Sequence, residues 1–168
     1  AGDSVVMAHD LAGHGAEPNA AAAELERVAR WLRAHPDQDL DVYGRGELVE
    51  SLEAQLAGLL GLGAARWLPS GCMAQPIALR VCSDRADGPH KRRIGLHPTS
   101  HLELHEFSGY AHLHGLEKVF LGTAEAPFTL DQLESAGDVA VVVVELPARE
   151  IGGQIPDWAE LVAISEFV

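Results

Sequence analysis

The chain has 168 residues, 47% of them hydrophobic and 22% charged, which is enough for one domain with a core and too apolar for a disordered tail. Its 12 basic and 25 acidic residues give a formal net charge of −13, which argues against a nucleic-acid partner, because neutralising phosphates needs clustered Lys and Arg. Two cysteines, Cys72 and Cys82, are too few for a disulfide-stapled scaffold and form no CxxC pair. No apolar run approaches the ~20 residues that cross a bilayer, and the N-terminus lacks a signal-peptide pattern, so a cytoplasmic protein without membrane contact is expected.

Residues 1–18 are small, Gly-containing and weakly patterned, and read as a loop or arm. Asn19 is placed to cap a helix to about Ala34, ended by His35-Pro36, with Leu25, Val28, Ala29 and Leu32 on one face. Residues 1–36 are thus expected as an arm and helix. A turn-rich connector from Asp37 to Gly46 leads to a second amphipathic helix, Glu47 to about Leu60, whose stripe is Leu48, Leu52, Leu56, Leu59 and Leu60. Gly61 and Gly63 stop it.

From there the pattern alternates. Ala65–Leu68 is a candidate strand, and Cys72–Val81 a helix after the Pro69-Ser70-Gly71 turn. Arg93–Leu96 reads as a strand, Leu102 to about His112 as a helix, Lys118–Leu121 as a strand, and Thr129–Ser135 as a short helix capped by Thr129. Val139–Leu146 is an unbroken β-branched run of the kind buried on both faces of a parallel sheet. Pro156-Asp157 opens a last helix at Trp158. The alternation implies an α/β fold with layered helices and strands.

Three segments carry candidate chemistry. A strand, a small-residue turn and a helix at Ser70-Gly71-Cys72 can hold a phosphate, because the first helical N–H groups are unpaired and the dipole favours an anion. No GxGxxG or GxxxxGK[ST] accompanies it, and spacing alone favours an ordinary strand-to-helix turn with a Ser cap. Five of nine histidines lie between His97 and His114, with His101 and His105 on one helical face beside Glu106. HxxxHE is not the HExxH order and completes no zinc spacing, so a His-based metal hydrolase is a minor alternative. His101 follows the Pro98-Thr99-Ser100 loop at the end of a strand, where ligands sit in such sheets. It suits stacking on a planar cofactor or acid/base work, whereas His105, His112 and His114 read as solvated. Glu145 and Arg149 leave the long strand at its carboxyl end and are candidate site residues, or partners in a surface ion pair.

The ordered stretches Asp41-Val-Tyr-Gly44, Leu52 to Gly63, Leu68-Pro-Ser-Gly-Cys-Met-Ala74, His101 to Gly109 with Glu106 and Gly109, and Glu145 to Pro156 resemble the beta-eliminating lyase/threonine aldolase family of pyridoxal-phosphate enzymes. The resemblance implies an aspartate-aminotransferase-like fold, a three-layer, mostly parallel sheet with helices on both faces. Residues 37–168 would be the first part of its cofactor-binding large domain. It implies that Ser70, Gly71 and Cys72 hold the phosphate of pyridoxal 5'-phosphate and that His101 stacks on its ring. Tyr43 and Gly44 would lie near the active site at an interface of a homodimer or homotetramer. The implied reaction is retro-aldol cleavage of a β-hydroxy-α-amino acid to glycine and an aldehyde. Two departures stand out: Glu145-Leu-Pro-Ala-Arg149 replaces the Glu-Asn-Thr-His of many aldolases, and neither an Asp-Gly-Ala-Arg segment nor the cofactor-linking lysine is matched by Lys91 or Lys118. The chain is therefore expected to be the N-terminal part of a larger lyase and silent on its own, with a non-catalytic dimerisation or binding module as the alternative.

Overall fold

The computed structural model describes residues 20–168, which form two compact units that divide between Trp67 and Leu68. The arm expected over residues 1–18 and the Asn19 cap lie outside the described residues.

In the first unit, α1 (Ala20–Ala34) and α2 (Glu47–Leu60) form at the expected positions. Gly61 ends α2 in the left-handed conformation, and its N–H donates to Ala57 and Gly58 carbonyls. Gly46 has no side chain to cap α2, so Asp41 does it from upstream: its Oδ2 accepts the Val49 N–H at 2.7 Å. A Cβ on Gly46 would fall 1.8 Å from Asp41 Oδ1, so the cap requires glycine there. The leucine stripe of α2 stays largely exposed, and its buried residues are Glu53 and Ala57. The strand expected at Ala65–Leu68 does not form. Glu53 takes its place as a partner, accepting the Trp67 N–H at 2.8 Å and pairing with Arg66 at 3.0 Å. Side-chain bonds to α2 thus satisfy backbone that a sheet ladder would otherwise serve.

The second unit is built on a three-stranded parallel sheet. After α3 (Gly71–Arg85) and a 3-10 turn come β1 (Arg93–Leu96), the short helices α4 (His101–Leu104) and α5 (Gly109–His114), and β2 (Glu117–Phe120). Then follow α6 (Leu130–Ser135), β3 (Val141–Val142), a second 3-10 turn and α7 (Trp158–Phe167). β1 pairs with β2 from Arg93↔Glu117 to Leu96↔Phe120 and with β3 at Ile94↔Val141 and Gly95↔Val142. Strand, helix, strand connections account for the parallel direction.

One core cluster holds Leu79, Ile94, Leu96, Leu102, Tyr110 and Leu116, and a second holds Leu121, Phe128, Leu133 and Ile164. The long valine run serves both: Val141 and Val143 pack on the first, and Val142 and Val144 on the second. This two-faced packing was expected, but the run is only half-buried and its ladder covers two residues, because β3 is an edge strand with β1 on one side. Gly95 lies between: a Cβ there would meet Leu121 Cδ1 at 2.8 Å, and Leu121 is fully buried.

The helix expected over Leu102–His112 is broken. Phe107 and Ser108 take left-handed φ of 50° and 49° between α4 and α5. The break brings both the Ser108 and the Tyr110 hydroxyls onto Glu103, at 3.0 and 2.5 Å, and Lys118 completes the cluster. The Thr129 cap is as expected, with Gln132 closing a capping box.

Candidate functional site

The site is assembled at the carboxyl ends of β1 and β3 and at the first turn of α3. Ser70 caps α3: its Oγ accepts the Met73 N–H at 3.2 Å, and its carbonyl accepts those of Met73 and Ala74. The N–H groups of Gly71 and Cys72 are left as donors at the positive end of a 15-residue helix. A Cβ placed on Gly71 would meet only Gln75 Nε2, at 3.8 Å, so the space above the turn is open.

His101 opens α4 just past β1. Its backbone N–H donates to Glu145 Oε2 at 3.0 Å, tying the residue after β1 to the one after β3. Its ring is about one-third exposed, with Nε2 3.5 Å from Glu106 Oε1. Ser100, His101, Gln75, Val143, Val144 and Glu145 line a cleft of about 300 Å³. Gln75 was not foreseen. It lies one turn beyond Cys72, and that spacing was the available signal. Cys72 is exposed at the helix end, where a thiol is ordinarily acidified. Here the Glu106 carboxylate beside it pushes the thiol above its usual value.

The other expected residues lie elsewhere. Arg149 is exposed, and its Nε and a terminal nitrogen donate to Glu150 at 3.0 and 2.8 Å, so it is not drawn into the cleft with Glu145. Glu150 also takes His105 Nε2 at 2.9 Å, and Arg149 and His105 together hold its carboxyl below the usual range. His97 is buried for structure: its Nε2 lies 3.0 Å from the Ala126 carbonyl oxygen, and the Thr99 N–H donates to its Nδ1 at 3.2 Å. Among the described residues no three His, Cys, Asp or Glu side chains gather as a metal set. Tyr43 and Gly44 form a tight two-residue turn in the first unit, both at positive φ (55° and 68°), with the Tyr43 side chain 99% exposed. Lys91 stands before β1, at the amino end of the sheet, and Lys118 is held by Glu103. A larger cavity of about 440 Å³, lined by His90, Asp138 and Val168 among others, also opens at that end and holds none of the motif residues.

The sequence pattern of the family described as Beta-eliminating lyase matches residues 27–168. The chain belongs to this family. Two solved structures agree with the lyase assignment. A candidate L-allo-threonine aldolase from Listeria monocytogenes EGD-E shares 45% identity and a TM-score of 0.71, over 77% of this chain and 35% of that one. A candidate aromatic amino acid beta-eliminating lyase/threonine aldolase from Exiguobacterium sp. 255-15 shares 42% identity and a TM-score of 0.71, over 77% and 36%. The chain thus spans about a third of the length of these lyases. No curated protein matches it. The parallel α/β sheet is the fold expected from the family resemblance. Among the described residues no helix is long and apolar enough to cross a membrane.

Proposed function

We propose that this chain supplies the phosphate turn and ring-facing histidine of a pyridoxal-phosphate-dependent lyase of the threonine aldolase type. The observation that carries the reading is the convergence of α3, His101 and Glu145 on one cleft at the carboxyl ends of the sheet. The donors suit pyridoxal phosphate: Gly71 and Cys72 N–H groups and the Ser70 turn for the phosphate, an accessible imidazole for the ring. When bound, the cofactor supplies an electron sink for the carbanion left by carbon–carbon cleavage. The chain's own residues bind and orient. Glu145 holds the start of α4, and with it the His101 ring, through the His101 N–H. The imidazole can then take up or return a proton at the substrate.

The substrate class in this reading is a small β-hydroxy-α-amino acid, the products glycine and an aldehyde, and the working form a cytoplasmic homodimer or homotetramer. Tyr43 supports the oligomer: a fully exposed tyrosine held at positive φ is costly unless something outside its own unit uses it. The test is aldehyde release from threonine and allo-threonine by protein made from the complete reading frame, with pyridoxal phosphate added. Turnover that falls by about 100-fold or more in His101→Ala is expected. No cleavage of any β-hydroxy-α-amino acid by the cofactor-loaded protein overturns the reading. The 168-residue chain, which has no lysine at the cleft, is expected to release no aldehyde.

A further inference from the structure

Glu106 is out of place as a structural residue. Its side chain is only 5% exposed, and both carboxylate oxygens are buried without a hydrogen-bond partner among the described residues. Burying an unpaired carboxylate is costly, so a native chain keeps one where it serves something. The loop that carries it is itself strained, with Phe107 and Ser108 in the left-handed region directly after it. No Lys or Arg lies within ion-pair distance among the described residues. Two groups face it: His101 Nε2 from α4, 3.5 Å from Oε1, and the Cys72 thiol from the first turn of α3. Beyond His101 stand the His105 ring, 5.1 Å away centre to centre, and the Glu145 carboxylate on the His101 backbone N–H.

We propose that Glu106 is the positioning residue of the cleft, accepting a hydrogen bond from His101 Nε2–H and so fixing the ring's tautomer and plane. A small rotation of the ring closes the 3.5 Å gap to a formed bond. The proton is then committed to Nε2, and the Nδ1 lone pair is the ring's free acceptor for a proton in the cleft. The same carboxylate lies beside the Cys72 thiol of the phosphate turn. The inference rests on the reading of His101 as the ring-facing histidine.

The experiment uses the 168-residue chain without cofactor and reads, by NMR, a ring Nε2–H proton of His101 protected from solvent exchange. In the parent the ring proton is visible. Glu106→Ala loses it. Glu106→Gln, whose amide oxygen can accept the same bond, keeps the ring proton but moves its resonance upfield, because a neutral acceptor replaces a carboxylate. If Glu106→Ala does not fold, the Gln variant decides. No protected ring proton in the parent, a ring proton unaffected in folded Glu106→Ala, or a resonance unmoved in Glu106→Gln overturns the proposal. A parent that shows the ring proton but binds no pyridoxal phosphate contradicts the proposed function and leaves Glu106 positioning His101. One that binds cofactor without the ring proton does the reverse.

Discussion

Leu96→Ala is expected to lower the unfolding free energy by about 3 kcal/mol. Leu96 is fully buried at the end of β1, in the cluster with Ile94, Leu79, Leu102, Tyr110 and Leu116. It also anchors the sheet through its carbonyl, which accepts the Leu121 N–H at 2.9 Å. Truncation removes apolar burial and leaves a cavity that a two-sided sheet core relaxes into only in part. For a domain stabilised by roughly 5–15 kcal/mol the loss is a large share of the total. Because Leu96 leads directly into the loop that carries His101, loosening it should also blur the cleft. Urea unfolding followed by circular dichroism reads the change, with Leu113→Ala as the comparison. Leu113 is 79% exposed, and its replacement should stay within about 0.5 kcal/mol of the parent. A Leu96→Ala loss no larger than that of Leu113→Ala would contradict the core described here.

The second large effect is electrostatic. Glu103 accepts from the Tyr110 hydroxyl, the Ser108 hydroxyl and Lys118, and its carboxylate is mostly buried. Burial opposes its charge, but Lys118, Tyr110 and Ser108 outweigh it and hold the carboxyl below its ordinary 4.5. Burial, then the hydrogen bond to Glu103, pushes the Tyr110 phenol up from 10.0 to about 12. A carboxyl depressed in the fold adds stability above its unfolded value, and that stability is lost as pH falls through the range below 4.5. A phenol raised in the fold adds stability below 10, and that stability is lost as pH rises from 10 towards about 12. Stability should therefore fall on both sides of a neutral plateau. Tyr110→Phe should flatten the alkaline limb, and Glu103→Gln should flatten part of the acid limb. On the plateau Glu103→Gln is expected to cost about 2 kcal/mol, because the Tyr110 donor and Lys118 lose their shared charged partner. Thermal midpoints measured across pH for the three proteins check this. An alkaline limb that persists in Tyr110→Phe would contradict it.

Much of the fold was legible in local signals. Gly61 after an apolar stripe, Thr129 three residues before Gln132 and the Arg93–Leu96 run each act within a few residues, and each appears where expected. The failures share a cause: they depend on partners distant in sequence. Ala65–Leu68 looks like a strand, but Glu53, 14 residues before Trp67, takes the backbone bond. The Leu102–His112 helix breaks where Glu103 gathers Ser108, Tyr110 and Lys118. Val139–Leu146 has the composition of a central strand, yet its burial depends on neighbours that sequence periodicity does not specify. At the site, Ser70, Gly71 and His101 were legible because turn chemistry and strand ends mark them. Gln75 and the orphaned Glu106 were not seen in their present roles, since only the folded chain brings α3 and the α4–α5 loop together. Arg149 takes the ion-pair alternative that the sequence also offered: its neighbour Glu150 holds it locally.

The central claim is that the cleft between α3 and the carboxyl ends of β1 and β3 is the cofactor site. Titrating the 168-residue chain with pyridoxal phosphate while following its amide and histidine resonances tests it most directly. The account predicts the largest shifts at the Gly71 and Cys72 amides and the His101 ring, with the Cys72 and His101 shifts weakened together in a Gly71→Pro variant that removes one phosphate donor. Shifts centred instead on His90 and Asp138 at the amino end of the sheet, or none at millimolar cofactor, would contradict it.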